Sequence, residues 1–190
     1  MAHEPRFAIA LTLTGGILES ATTAQRLLRG GLGLSHLADH SPFPHVTMVA
    51  GGCSESAAGA LMDVAAKKIP AFLAQACGLD VIGGDRPALI IRFLNEGPMA
   101  DARNLLAAMS KDLWQPEEPS TRAEHWLPKA SLAYGDLTQA TIPPAFRVLN
   151  SLTFEGPMQV RRLALIAYGP RGERLVGVRS MKERAAKRLN

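Results

Sequence analysis

The chain has 190 residues, of which 47% are hydrophobic, 20% charged and 5% aromatic, as in an ordinary globular protein of one domain. No stretch reaches the roughly 18 apolar residues of a membrane-spanning helix, which argues against an integral membrane protein. His3 and Glu4 stand where a secretory signal would be basic, so we expect a cytoplasmic protein. We also expect it to be a monomer without an obligate protein partner.

The net charge of +4 is unevenly distributed. Residues 161–190 carry nine Lys or Arg against two Asp or Glu, a net +7, which leaves −3 for the rest of the chain. A basic segment attracts phosphates, RNA included. It can equally be a solvated helix end, and residues 179–190 contain no aromatic side chain for base stacking. The charge pattern leaves both interpretations open.

The hydrophobic pattern of the first half predicts two short strands, each followed by a helix. The predicted elements are a strand over 7–14, a helix over 19–30, a strand over 45–50 and a helix from 54 to about 76. Ser54 is a favourable N-cap for the last helix, whereas Pro70 predicts a kink or a break within it. Glycines and prolines predict a loop over 31–44.

The second half shows a similar succession, with additional hairpins. The predicted elements are a hairpin of 79–82 with 88–94, a helix over 99–113, a strand over 127–134, a helix over 142–152 and a hairpin of 159–168 with 174–178. A polar loop over 115–125 separates the helix from the strand.

The order strand, helix, loop, strand, helix occurs over 7–76 and again over 88–152, which indicates an internal duplication. We predict the α+β class, with two-lobed antiparallel sheets and outer helices around a central cleft. Residues 1–190 are expected to form one domain, with intertwined lobes over approximately 1–85 and 86–180 and a basic tail over 180–190.

Two five-residue segments occupy equivalent places in the two halves: PHVTM at 44–48 and PKASL at 128–132. Side chains two apart share one face of a strand, so His45 and Thr47 are predicted to point the same way. By the same rule Lys129 shares a face with Ser131. If the halves pack about a pseudo-twofold axis, two basic groups and two hydroxyls converge on one cleft. The hydroxyls would donate to the non-bridging oxygens of a phosphodiester, and the basic groups would handle protons or charge.

The paired segments resemble the two motifs of the two-histidine phosphoesterases, and the RFAIAL segment at 6–11 resembles the family's first strand. The resemblance spans residues 6–178. It implies a duplicated α+β fold that acts on a 2′,3′-cyclic phosphate or a 2′,5′ linkage at an RNA or nucleotide end. It also implies that one histidine, here His45, is the general base, that the second motif residue protonates the leaving oxygen, and that no metal or other cofactor takes part.

The chain departs from the family where Lys129 replaces the second histidine. A lysine starts from a pKa of about 10.4 and acts as a general acid only if burial or a neighbouring cation lowers that value. As an unshifted cation it would still hold a phosphate. Three hypotheses follow: an active phosphodiesterase, a degenerate protein that binds a nucleotide or RNA end without turnover, and a structural protein that keeps only the fold. His125 lies about 13 Å along the strand from Lys129, too far to replace the missing imidazole.

Other side chains are candidates for substrate contacts. Arg92 interrupts an apolar strand and is predicted to bind phosphate, with a solvated strand face as the alternative. Tyr134 and Phe43 flank the two motifs and are predicted to stack on a base, with rim packing as the alternative. His36 and His40 have a spacing that binds metal on a helix, but their surroundings favour a polar loop, and no metal site is predicted.

Overall fold

Antiparallel strands form the framework of the protein, whose computed structural model describes residues 6–41, 43–114, 119–122 and 124–183. The strands are β1 (Arg6–Thr12), β2 (His45–Gly52), β3 (Phe72–Ile82), β4 (Ala88–Phe93), β5 (Lys129–Tyr134), β6 (Glu155–Val160), β7 (Arg162–Gly169) and β8 (Gly172–Ser180). The helices are α1 (Gly15–Leu32), α2 (His36–His40), α3 (Glu55–Lys68), α4 (Pro98–Ser110) and α5 (Ile142–Leu149), with a 3₁₀ turn at Pro119–Thr121. None of the helices in these ranges is long and apolar enough to span a bilayer.

The described strands form two four-stranded sheets of matching topology. The first has the order β2-β1-β7-β8 and the second β5-β4-β3-β6. The succession β1-α1-β2-α3 in the first half corresponds to β4-α4-β5-α5 in the second, so each sheet has a motif strand at one edge and the first strand of its half beside it. The predicted two-lobed α+β fold is therefore confirmed.

The two halves, predicted as intertwined lobes that meet near residue 85, exchange strands between the two sheets. Strand β3 precedes that residue but pairs with β4 and β6 in the second sheet. The hairpin β7-β8 follows it but pairs with β1 in the first sheet. Each half thus contributes strands to the other's sheet, because the edges of β1 and β3 need partners that lie far away in the chain.

Two predicted elements differ from the structure. In each case a break in the hydrophobic pattern marks the start of a new element, whereas the prediction continued the previous one. Helix α3 ends at Lys68, and the residues after Pro70 form β3 rather than more helix. Buried Phe72, Ala74 and Ala76 alternate with exposed neighbours, which is the period of a strand. Similarly, the strand predicted over 159–168 is two strands in different sheets, and the chain passes from β6 to β7 at Arg161.

The first sheet presents different side chains on its two faces. Phe7, Ile9 and Leu11 of β1 belong to the main core, where α3 packs against β1 and β7. The opposite face carries Ala8 and Ala10, which form a separate small cluster with other short and aromatic side chains. Phe43 and Tyr168, which pack against this cluster, also line a cavity.

Candidate active site

The two motifs lie at the first residues of β2 and β5, and their side chains line one cavity. His45 and Thr47 from the first motif meet Lys129 and Ser131 from the second around a volume of about 180 Å³. All four side chains are half-buried, so they reach the cavity without being exposed to bulk solvent. The convergence that strand alternation predicts is thus present in the structure.

The backbone is similar around the two motifs, and each motif strand has a bulge in its pairing with the neighbouring strand. Thr47 is opposite Ala10 while Val49 is opposite Ile9, so Met48 is an extra residue in β2. In the second sheet the register shifts by one residue after Ser131, at the same place in the motif. A bulge bends a strand and redirects its side chains. The two motifs therefore share a local backbone irregularity as well as a residue pattern.

The imidazole of His45 is held in one tautomer by a backbone group. Its Nδ1 lies 3.0 Å from the carbonyl oxygen of Phe43. Because a carbonyl oxygen only accepts hydrogen bonds, Nδ1 carries the proton and Nε2 has a free lone pair. Oε2 of Glu173 lies 3.9 Å from Nδ1 and stabilises the imidazolium that forms when Nε2 takes up a proton. This arrangement suits a general base.

A second layer of polar groups lies behind the first motif. The hydroxyl of Ser41 donates to Oε2 of Glu173 and anchors the carboxylate. Tyr168 forms a hydrogen bond with the side chain of Thr47. Burial, followed by the negative charge of Glu173, raises the pKa of Tyr168 to about 12, so the phenol stays protonated at neutral pH. A phenol that keeps its proton can donate to Thr47, and in that arrangement the hydroxyl hydrogen of Thr47 is available to a phosphate oxygen.

Lys129 is the cation that faces this base across the cavity. Burial lowers the pKa of its ammonium below the ordinary lysine value. Within the described residues its ammonium forms no ion pair, so a bound anion does not have to displace a protein carboxylate. A lysine in this state can hold a phosphate, and the lowered pKa brings it closer to the range of a general acid.

The segment before β5 closes one wall of the cavity and connects the two lobes. Nε1 of Trp126 donates to the backbone oxygen of Thr47 at 2.9 Å. The buried guanidinium of Arg103 on α4 lies 5.6 Å from the centroid of the Trp126 ring and donates to the carbonyl oxygen of Thr121. Both Trp126 and Thr121 line the cavity, so α4 fixes this wall through Arg103.

Helix α2 lies on the opposite side of the cavity, between the ends of β5 and β8. The backbone N–H of His36 donates to Oδ2 of Asp136 at 2.7 Å. At its other end α2 approaches Gly172 so closely that a Cβ there would collide with the backbone of His40. Leu37 of this helix lines the cavity. The segment predicted as a loop thus contains a short helix that joins the lobes.

The predicted substrate contacts divide into those inside and outside the cavity. Phe43 lines it, with its ring centroid 5.4 Å from that of His45. Arg92 does not line it: the exposed guanidinium pairs with Asp80 at 3.4 Å, as the alternative of a solvated strand face predicts. Tyr134 is 39% exposed outside the cavity and meets the edge of the His36 ring. Stacking at Tyr134 and phosphate binding by Arg92 would therefore need a ligand that extends beyond the cavity.

The histidines of α2 are close to one another but do not form a metal centre in the described part of the chain. The rings of His36 and His40 are stacked with centroids 4.3 Å apart. Across residues 6–41, 43–114, 119–122 and 124–183, no three His, Cys, Asp or Glu side chains gather around a point where a metal would fit.

Several residues that line the cavity were not predicted from the sequence, because they come from elements far apart in the chain. Glu173 is 132 residues from its partner Ser41, and Trp126 is 79 residues from Thr47. Gln25 on α1 also lines the cavity. Among these residues, Gln25 alone has a local signal in the sequence, because it is a polar side chain on the otherwise apolar buried face of α1.

No protein-family model and no curated protein matches the sequence. Solved structures nevertheless match the fold over almost the whole chain. TT0787 of Thermus thermophilus is 17% identical, with a TM-score of 0.63 over 94% of this chain and 98% of that one. E. coli LigT in complex with 3′-AMP is 16% identical, with a TM-score of 0.57 over 95% of this chain and 100% of LigT. A structure described as a phosphoesterase is 15% identical, with a TM-score of 0.58 over 95% and 100% of the two chains.

Structures of such low sequence identity establish only the fold. The activity has to be argued from the geometry of the site. The chain has the duplicated two-lobed fold of LigT and TT0787, as the resemblance of its two motifs to the two-histidine phosphoesterases implied.

Proposed function

We propose that the protein is a phosphodiesterase that acts on a 2′,3′-cyclic phosphate or a 2′,5′ linkage at a nucleotide or RNA end. The observation that carries this proposal is the convergence of His45, Thr47, Lys129 and Ser131 on one cavity. A phosphodiester is a monoanion with two non-bridging oxygens. The two hydroxyls supply donors to those oxygens, and the ammonium offsets the charge.

The proposed reaction uses the side chains of the cavity. Nε2 of His45 removes a proton from a water molecule, whose oxygen attacks phosphorus. The bond from phosphorus to one ribose oxygen breaks. Lys129 either protonates that oxygen and regains a proton from solvent, or stabilises its negative charge while solvent supplies the proton. The products are a phosphomonoester and a free ribose hydroxyl. Glu173 and the carbonyl of Phe43 hold the imidazolium until its proton is released to solvent.

The proposed ligand class is consistent with what LigT binds. LigT forms complexes with 3′-AMP, NADP⁺, ATP and phosphate. In the present chain, Arg174 and Arg179 of the basic segment pair with Glu55 and Asp63 on α3, at 3.2 and 2.6 Å. This segment therefore offers less charge to an RNA backbone than its composition indicates. We accordingly propose that the terminal nucleotide is the unit that the cavity recognises.

Turnover of 2′,3′-cyclic nucleotides and of short cyclic-ended RNAs tests this function. We expect a phosphomonoester product, and His45→Ala should abolish its formation. His125→Ala is the matched control, because that histidine is exposed and does not line the cavity. Equal activity of wild type and His45→Ala would refute the assignment of the base.

A binding protein without turnover is the second candidate, and Lys129 is the observation that favours it. Losing one partner of an acid–base pair lowers the rate by about 10² to 10⁴. If the chain is such a degenerate member, wild type binds the nucleotides without converting them, and Lys129→His introduces turnover. If wild type neither binds nor converts any member of the panel, both proposals fail and a structural role remains.

A further inference from the structure

Gln25 is a polar residue in a position where the sequence pattern calls for an apolar one. It lies on the buried face of α1 among Ala21, Ala24 and Leu28, and its exposed fraction is 7%. A leucine or methionine would continue that face without interruption. Glutamine is seldom buried so completely unless its amide is hydrogen-bonded.

The amide nitrogen of Gln25 has no hydrogen-bond partner among the described residues. A buried donor without an acceptor destabilises the folded state, so the side chain does not serve the core. Gln25 also lines the cavity that holds the two motifs. Since a half-turn of the terminal amide exchanges its nitrogen and its oxygen, the amide can present its donor to an acceptor in that cavity.

We propose that Gln25 is a substrate-binding residue whose amide donates a hydrogen bond to an oxygen of the nucleotide in the cavity. This inference rests on the phosphodiesterase proposal and adds a recognition element supplied by neither motif. Because the amide is neutral, it recognises the position of an acceptor rather than the charge of the phosphate. It is not placed to transfer a proton, so it contributes to binding in both the ground state and the transition state.

Gln25→Met is the informative substitution, since methionine has a similar length and suits a buried helix face. We expect KM for a 2′,3′-cyclic nucleotide to rise about tenfold with kcat nearly unchanged, as loss of uniform binding predicts. The melting temperature should stay equal or rise, because an unsatisfied buried donor has been removed. Gln25→Glu should raise KM further, since a carboxylate repels the phosphate.

Leu28→Met is the matched control, because Leu28 is buried on the same face of α1 and does not line the cavity. It should leave KM within about twofold of wild type. A Gln25→Met protein with unchanged KM, or one whose raised KM comes with a lowered melting temperature, would overturn the proposed role. Affinity for 3′-AMP, measured by calorimetry, should show the same tenfold loss. If wild type neither converts the cyclic nucleotide nor binds 3′-AMP, the proposed function itself has failed, and this inference fails with it.

Discussion

Replacing Lys129 by methionine removes both roles that the ammonium can play, the electrostatic clamp and the acid, whereas arginine keeps the charge and cannot give up a proton. At a contact distance of about 4 Å and an effective dielectric constant of about 20, an ammonium attracts a phosphate by about 4 kcal/mol, roughly 10³-fold. Loss of a general acid lowers the rate by about 10² to 10⁴. The two ranges overlap, so the size of the loss does not distinguish a clamp from an acid. Lys129→Arg does, since it keeps the clamp and loses the acid, while the pH dependence shows whether the protonated lysine is needed at all.

The assay is the pH profile of kcat for wild type, Lys129→Met, Lys129→Arg and Lys129→His. A kcat of Lys129→Arg close to that of wild type would show a clamp, and a loss as large as in Lys129→Met would show an acid. A general acid must be protonated, so the rate of wild type should fall as pH rises through the pKa of Lys129. Burial places that value below the reference of about 10.4. The descending limb should vanish in Lys129→Met and move toward about pH 6.5, the reference value for histidine, in Lys129→His. A descending limb shared by wild type and Lys129→Met would refute the acid role.

The same pKa shift predicts a change in stability. Because the folded pKa of Lys129 is lowered, the unfolded chain binds more protons between that value and about 10.4. Lys129 therefore destabilises the fold at neutral pH, and its contribution becomes less unfavourable as pH rises through this window. Lys129→Met should be more stable than wild type in urea at pH 7, and the difference should shrink near pH 10. A difference that is independent of pH would contradict this account.

Three further substitutions test the groups around the motifs. Tyr168→Phe removes the hydroxyl that is hydrogen-bonded to Thr47 and should lower kcat/KM about three- to tenfold, whereas Tyr134→Phe, outside the cavity, should have no effect. Equal losses in the two variants would argue against an oriented hydroxyl. Glu173→Gln removes the anion near the imidazolium of His45 and should lower kcat about tenfold without raising KM; a rise in KM alone would show that it binds substrate instead. Arg103→Met removes the hydrogen bond and the cation–π contact that hold one cavity wall, and should lower the melting temperature by about 5–10 °C in calorimetry. An unchanged melting temperature would show that the wall does not depend on this residue.

The sequence predicted those parts of the fold that depend on local periodicity. The motif strands β2 and β5 alternate, and each follows a proline, so both their position and the shared face of His45 and Thr47 could be derived. The first part of β3, before Leu79, could not, because Phe72–Ile82 follows directly on an apolar helix and contains small residues that fit either period. Its last residues, 79–82, were predicted as a hairpin with 88–94 and do pair with β4. The pairing of β3 with β6 depends on residues about 80 positions away in the chain.

The residues of the candidate site were likewise predicted only in part. The four motif residues were predicted because duplication and strand alternation are visible in a single sequence. The groups that orient them were not, because Glu173 and Tyr168 lie in a hairpin that joins the first sheet from the far end of the chain. Arg92 was assigned to the phosphate because its charge interrupts a strand, but its actual partner, Asp80, lies on the neighbouring strand β3.

The most direct test of the central claim is a crystal structure of the protein with 3′-AMP bound. The account predicts a phosphate group within hydrogen-bonding distance of both Nε2 of His45 and Nζ of Lys129, with the hydroxyls of Thr47 and Ser131 on its oxygens. A phosphate bound elsewhere, or touching one motif while the other remains out of reach, would contradict it.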